Sequence, residues 1–178
     1  MTSEPAPLVI KSNYEQIKEA SHFAETEHVV SSLIGDLEGG DHTALFRAPP
    51  HIRFNRAFVM RCVSTCGHSL AFSGPNLQHD KDVVLAAVRQ DGLALRYAAE
   101  ELLCDRDVVL EAVRNNGAAL YYADTALKRD VEIACTAASR EGESVLPYID
   151  ARLRYGPDVQ RAAKMGKVGS PPSGADKS

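Results

Sequence analysis

The chain has 178 residues, 44% of them hydrophobic and 25% charged, which is the balance of an ordinary globular domain that buries about two-thirds of its surface. No apolar run approaches the roughly 20 residues of a membrane-spanning helix. The formal charge is −4, and residues 80–154 hold 10 Lys/Arg against 14 Asp/Glu, so the clustered positive charge that displaces counterions from a polyanion is missing and nucleic acid is disfavoured as a partner.

In chain order, MTSEPAPLVIKSNYEQ has neither the basic-then-apolar pattern of a secretory signal nor the Arg-rich pattern of a transit peptide. Residues 1–11 are expected to be flexible. Residues 12–40 are expected to hold N-terminal helices and a cap: one helix near Asn13–Ala24, then Glu27–Leu37 stopped by Gly39 and Gly40. A worn copy of a repeat follows. Thr43 to Asn55 matches His68 to Asp80, with Leu45, Pro50 and Ile52 standing for Leu70, Pro75 and Leu77.

Residues 55–154 are then four copies of one 25-residue unit, at 55–79, 80–104, 105–129 and 130–154. The polar starts Asn55, Asp80, Asp105 and Asp130 keep register with Gly67, Gly92, Gly117 and Gly142. A fixed period of this length marks stacked units that bury their faces against one another. Within unit two, Asp80 is a good N-cap and Lys81–Asp91 contains no Gly or Pro. Val84, Ala87 and Val88 fall at i, i+3 and i+4, and Val83 and Leu85 widen the stripe as a helix between two neighbours requires. Gly92, with its three counterparts, is expected to end the helix in left-handed conformation. Leu95, Ala98 and Leu102 then predict a helix of about two turns, a tight turn and a single-turn segment. Ala87, Ala112, Ala137 and Cys62 allow close helix approach.

At the far end Arg152 stands where a core leucine is due, and Leu153 restores it with a one-residue slip. Gly156-Pro157 opens a polar closing helix over 156–165, with Pro at N1. The repeat domain is therefore 41–166, and the composition of 167–178 predicts a disordered tail. The fold class expected is all-α: an α-solenoid of short helix-turn-helix repeats with a 25-residue period.

Units two and three share the order Asp, Lys/Arg, Asp, Val, Val, Leu, x, Ala, Val, Arg, x, Asp/Asn, Gly, x, Ala, Leu, x, Tyr, Ala. This resembles domain of unknown function 4116, a family of tandem units occurring largely in protist and algal proteins. The likeness is close over 80–129 and extends over 55–154. In unit four Ser139 replaces the Arg and Pro147 the Tyr, which puts its second helix in question. The resemblance implies a helical repeat and no activity. A looser likeness to leucine-rich-repeat-variant units supports the fold only.

Three constellations could carry chemistry. Cys62, Cys66 and His68, closed by His51 or His79, could hold zinc, but Cys62 lies on the core stripe and the spacing lacks the paired form of structural zinc sites. The same thiols with His68 could form a nucleophile–base pair, for which the sequence names no third group. Phe72, Tyr97 and Tyr122 form an aromatic ladder flanked by Tyr121 and Arg96, read here as packing between units with wet hydroxyls. Arg89 and Arg114 are in phase on the outer helix face, with Glu111 at i−3 from Arg114. Arg89, Arg96, Tyr97, Arg114, Tyr121 and Tyr122 are thus the candidate partner surface. No catalytic residue, cofactor or metal is expected.

The expected function is non-enzymatic: a module for protein–protein interaction, a scaffold or an accessory subunit of a larger assembly. The alternatives are a nucleic-acid-binding solenoid and a Cys/His enzyme. Four cysteines without disulfide spacing suit a reducing, cytoplasmic setting.

Overall fold

The computed structural model of the chain describes residues 28–41 and 43–166, and each regular unit within them starts at a side-chain cap. Asn55, Asp80, Asp105 and Asp130 have extended backbone, and one side-chain oxygen of each accepts from the amides two and three residues on. Those amides have no partner inside the helix, so each cap stabilises by about 1 kcal/mol. The helices that follow are Arg56–Thr65, Lys81–Gln90, Arg106–Asn115 and Val131–Glu141. Val83, Val84, Ala87 and Val88 are fully buried, as are Val108, Val109, Ala112 and Val113. This is the wide stripe read from the sequence.

In units one to three the long helix ends at an extended residue, Cys66, Asp91 or Asn116. A six-residue 3₁₀ segment follows: Gly67–Phe72, Gly92–Tyr97 and Gly117–Tyr122. The sequence alone predicts an ordinary two-turn helix here. Instead Asp91 and Asn116 cap the segment, each accepting at 3.0 Å from the amides of Leu93 and Ala118. Cys66, at the same position, is buried. Runs of 3₁₀ this long are uncommon; here Ala94 with Leu95, and Ala119 with Leu120, bury adjacent residues that only tertiary contact holds in place. Each unit closes with one short turn: Pro75–Gln78, Glu100–Leu103, Leu127–Arg129 and Ala151–Arg154.

The glycines require a correction. Among the described residues only Gly40 and Gly142 have positive φ, so Gly67, Gly92 and Gly117 are not left-handed caps. What excludes a side chain there is the next unit. A Cβ on Gly67 would lie 2.5 Å from the carbonyl oxygen of Ala87, on Gly92 2.4 Å from that of Ala112, and on Gly117 2.7 Å from that of Ala137. The recurring glycine and the recurring alanine are two sides of one contact, 20 residues apart in the chain.

Two further sets of bonds tie each unit to its successor. The carbonyls of Arg53, Gln78, Leu103 and Lys128 accept from the amides of Gly74, Ala99, Asp124 and Asp150 at 2.8–3.2 Å. Beside the glycines, the amide of Gly67 donates to Gln90 Oε1 at 2.6 Å and that of Gly92 to Asn115 Oδ1 at 2.7 Å. A charge ladder runs along the N-terminal edge of the long helices. Arg56 meets Asp80 and Asp82, Lys81 meets Asp105 and Asp107, and Arg106 meets Asp130 and Glu132. The ladder ends by composition, since unit one opens with Asn55 and Ala57 in place of acids and unit four carries Val131 in place of the cation.

Unit four departs in register. Its long helix has 11 residues, Gly142 turns at φ 67°, and the 3₁₀ segment Gly142–Tyr148 forms despite Pro147. The slip noted at Leu153 begins between Val145, which keeps the phase of Leu120, and Ile149, which stands one residue past that of Ala123. The closing helix, Pro157–Gly166, packs on Val131–Glu141 as a further unit would, with Val159 and Ala163 buried. At the other end residues 28–38 are helical and bury Val30, Leu33 and Leu37, ending one residue past the expected Leu37. Short turns at Ala44–Arg47 and Pro50–Arg53 form the worn unit. The described residues contain no strand and form an all-α repeat fold of 25-residue period. The helix expected near Asn13–Ala24, the lead at 1–11 and the tail at 167–178 lie outside the described residues.

Candidate functional site

The 3₁₀ segments place two successive side chains per unit at one edge of the stack, because the two residues after the buried leucine cannot also face the core. In unit two these are Arg96 and Tyr97, and in unit three Tyr121 and Tyr122. The extra residue of unit four brings Tyr148 to the phase of Tyr122, so the ladder continues where the sequence reading saw only Pro147. Applying the Leu153 slip five residues earlier would have found it. In the worn unit Phe46 takes the phase of Tyr121.

The rings meet across unit boundaries. Phe46 packs edge-on against Phe72 with centroids 5.7 Å apart, and Tyr121 against Tyr148 at 5.2 Å. Between these two contacts Arg96 takes the ring's place, bonding the hydroxyls of Tyr97 and Tyr122 and lying 4.5 Å over the Tyr97 ring. His68 meets the other side of Tyr97 at 5.8 Å. Packing between units therefore holds Phe72, Tyr97 and Tyr122, which are all half-buried. The other rings stay open: Phe46 is 63% exposed, Tyr121 55% and Tyr148 40%. Tyr121, Tyr122 and Tyr148 wall a groove of about 270 Å³ floored by Leu93 and Ala118. Lys128 stands beside it, its Nζ donating to the Tyr121 carbonyl at 2.8 Å.

Arg89 and Arg114 do not join this edge. They lie on the outer faces of the long helices, where Arg89 reaches Glu111 of the next unit at 3.2 Å and Arg114 reaches Glu132 at 3.8 Å. The Glu111–Arg114 contact inside one helix is looser, at 3.9 Å, so the pairing is mainly between units. Both arginines belong to the packing of the stack.

The cysteines are also structural in setting. Burial pushes the Cys62 thiol up to about 11, away from the thiolate a nucleophile or ligand needs. Cys135 is half-buried. His68 Nδ1 lies 2.5 Å from Asp91 Oδ2, a third group that the sequence reading did not name, and His79 Nδ1 lies 3.2 Å from Glu101. Asp91 already caps Leu93, so the histidine contact joins units one and two. Among the described residues no three His, Cys, Asp or Glu side chains are grouped to hold a metal ion. No described helix is long and apolar enough to cross a membrane.

Three overlapping stretches, residues 55–103, 80–128 and 105–154, match the family model described as Domain of unknown function (DUF4116). The chain belongs to this family. Each match spans two successive units, so each contains one complete glycine–alanine contact and one rung of backbone bonding between units. No curated protein and no solved structure matches the chain.

Proposed function

We propose that this chain is a non-enzymatic protein-interaction module, acting as a scaffold or as an accessory subunit of a larger assembly through its aromatic edge. The observation that carries the proposal is the exposure of Phe46, Tyr121 and Tyr148 along one edge of the stack, whereas Arg89 and Arg114 on the outer faces of the long helices are paired with Glu111 and Glu132. Exposed aromatic clusters mark interaction surfaces, and tyrosine and arginine are enriched at their energetic centres. A non-enzymatic role is supported by the buried, high-lying Cys62 thiol and by the structural engagement of His68 and Asp91. Four cysteines (Cys62, Cys66, Cys104 and Cys135) without the spacing of a disulfide framework support a reducing, cytoplasmic setting.

The test compares cross-linked complexes recovered by the wild-type chain, by Tyr121→Ala/Tyr148→Ser, and by Arg89→Ala as a surface control. A discrete protein should be recovered by the wild type and the control and lost with the double variant. Equal recovery by all three removes the aromatic edge from the function.

A further inference from the structure

Resting on the interaction reading above, we infer that the groove walled by Tyr121, Tyr122 and Tyr148 takes an extended peptide segment carrying a carboxylate among apolar residues. Charge points to the carboxylate. Five cations of the stack, Arg56, Lys81, Arg89, Arg106 and Arg129, each contact an Asp or Glu, while Arg154 donates to the carbonyls of Pro147 and Ile149. Among the described residues, the two cations at the groove bond uncharged groups. Arg96 takes the hydroxyls of Tyr97 and Tyr122, and Lys128 takes the Tyr121 carbonyl while lying 5.9 Å from the centre of that ring. Their positive charge is left whole, in a chain whose net charge is −4. An anion placed between them meets two cations flanking rings only 5.0 Å apart. Charge-assisted bonds of this kind are about twice as strong as neutral ones.

Shape points to an extended chain. The floor residues Leu93 and Ala118 hold the same phase in successive units, so the groove runs along the stack. Neighbouring packed helices lie about 8–10 Å apart. At roughly 3.3 Å per residue, an extended peptide advances about three residues per unit. The tyrosine hydroxyls add donors for the carbonyls of an extended backbone.

Ring geometry argues against a nucleic-acid strand. Tyr121 stands at 88° to Tyr122 and at 80° to Tyr148, so neighbouring edges occupy faces that stacked bases would need. Two cations also make a short track for a phosphate backbone.

The experiment pans a phage-displayed random dodecapeptide library against the wild-type chain and, as counter-selection, against Arg96→Ala/Lys128→Ala. Thermal denaturation first establishes that the variant is folded. Enriched sequences should carry Asp or Glu flanked by apolar residues. A synthetic copy of the strongest should lose at least about tenfold in affinity when its acid is changed to the amide, and likewise on the double variant, while Arg89→Ala binds as wild type. Neutral or basic enriched sequences, binding that survives either change, or an empty selection overturns the inference. A cross-linked protein partner still lost with Tyr121→Ala/Tyr148→Ser would then leave the interaction reading standing. A labelled single-stranded oligouridine bound more tightly than any selected peptide, and released by added salt, would overturn both.

Discussion

The close approach of Gly92 to the next unit gives the most direct test of how this stack is built. In Gly92→Ala the new methyl would lie 2.4 Å from the carbonyl oxygen of Ala112 and 2.9 Å from both the amide nitrogen and the Cβ of Asn116. Most of these atoms belong to the backbone of unit three, so they yield only if the units separate. Forced overpacking of this kind costs about 1–3 kcal/mol. Separation also lengthens the 2.7 Å bond from the Gly92 amide to Asn115, a loss of about 1 kcal/mol. The expected total is about 2–4 kcal/mol, and at about 2–4 °C per kcal/mol for a chain of this size this lowers the melting temperature by roughly 4–16 °C. In a stack bound through neighbour interfaces, the transition should also broaden as units one and two uncouple from three and four. Circular dichroism at 222 nm during heating reads both effects. Gly35→Ala is the internal control: nothing lies within 4 Å of its Cβ and its φ is not positive, so added helix propensity should stabilise by roughly 0.5–1 kcal/mol. A Gly92→Ala chain that melts within a degree of wild type would refute the contact as the reason for the repeated glycine.

Ser69 is fully buried and its hydroxyl has no hydrogen-bond partner, whereas units two and three carry Ala94 and Ala119 at the same phase. Ser69→Ala should therefore raise stability by about 1 kcal/mol in urea denaturation, and a fall would show that the hydroxyl is satisfied. Acid should loosen the stack. The Arg56 guanidinium beside Asp80 and the Arg106 guanidinium beside Asp130 hold those carboxyls below the ordinary range. At Asp105 burial opposes the shift, but Lys81 and the capped amides outweigh it and the carboxyl is again lowered. The unfolded chain, with ordinary carboxyls near about 3.9, then takes up protons before the folded one. Stability from these groups is complete above about pH 5 and is lost as pH falls through about 4 towards the lowered folded-state values. The urea midpoint should be flat from pH 7 to 5 and drop steeply below 4; a flat profile to pH 3 would show that the ladder contributes nothing. Because its cations and outer acids are exposed, the same ladder should weaken with added salt.

Much of the fold was legible because it is encoded locally. The caps at Asn55, Asp80, Asp105 and Asp130 need only a side chain and the amides two or three residues ahead. The long helices follow from apolar spacing, and their bounds differ little from those read off the sequence. The aromatic ladder was visible as a phase, and so was its role between units. Tyr148 was missed because the extra residue of unit four lies between Val145 and Ile149 and shifts the phase there, and Lys128 because its relation to Tyr121 bridges a turn. Arg89 and Arg114 shared a phase with each other but not a surface with the tyrosines. Period alone cannot tell which edge of a unit a residue occupies.

By itself the sequence determined the repeat, its caps, its buried stripe and hence an all-α stack, since each depends on residues within one turn of one another. Only the tertiary structure decided why the glycines recur. Gly67, Gly92 and Gly117 could equally have been turning the chain, and that is how they read in isolation. They are glycines because the carbonyl of an alanine 20 residues later lies where a side chain would stand. The same distance in sequence hid the Gln90 and Asn115 clamps, the charge ladder and the placing of Arg96 between two tyrosines. Each is a contact between units, and a repeat spells out the unit while leaving the offset between units to packing.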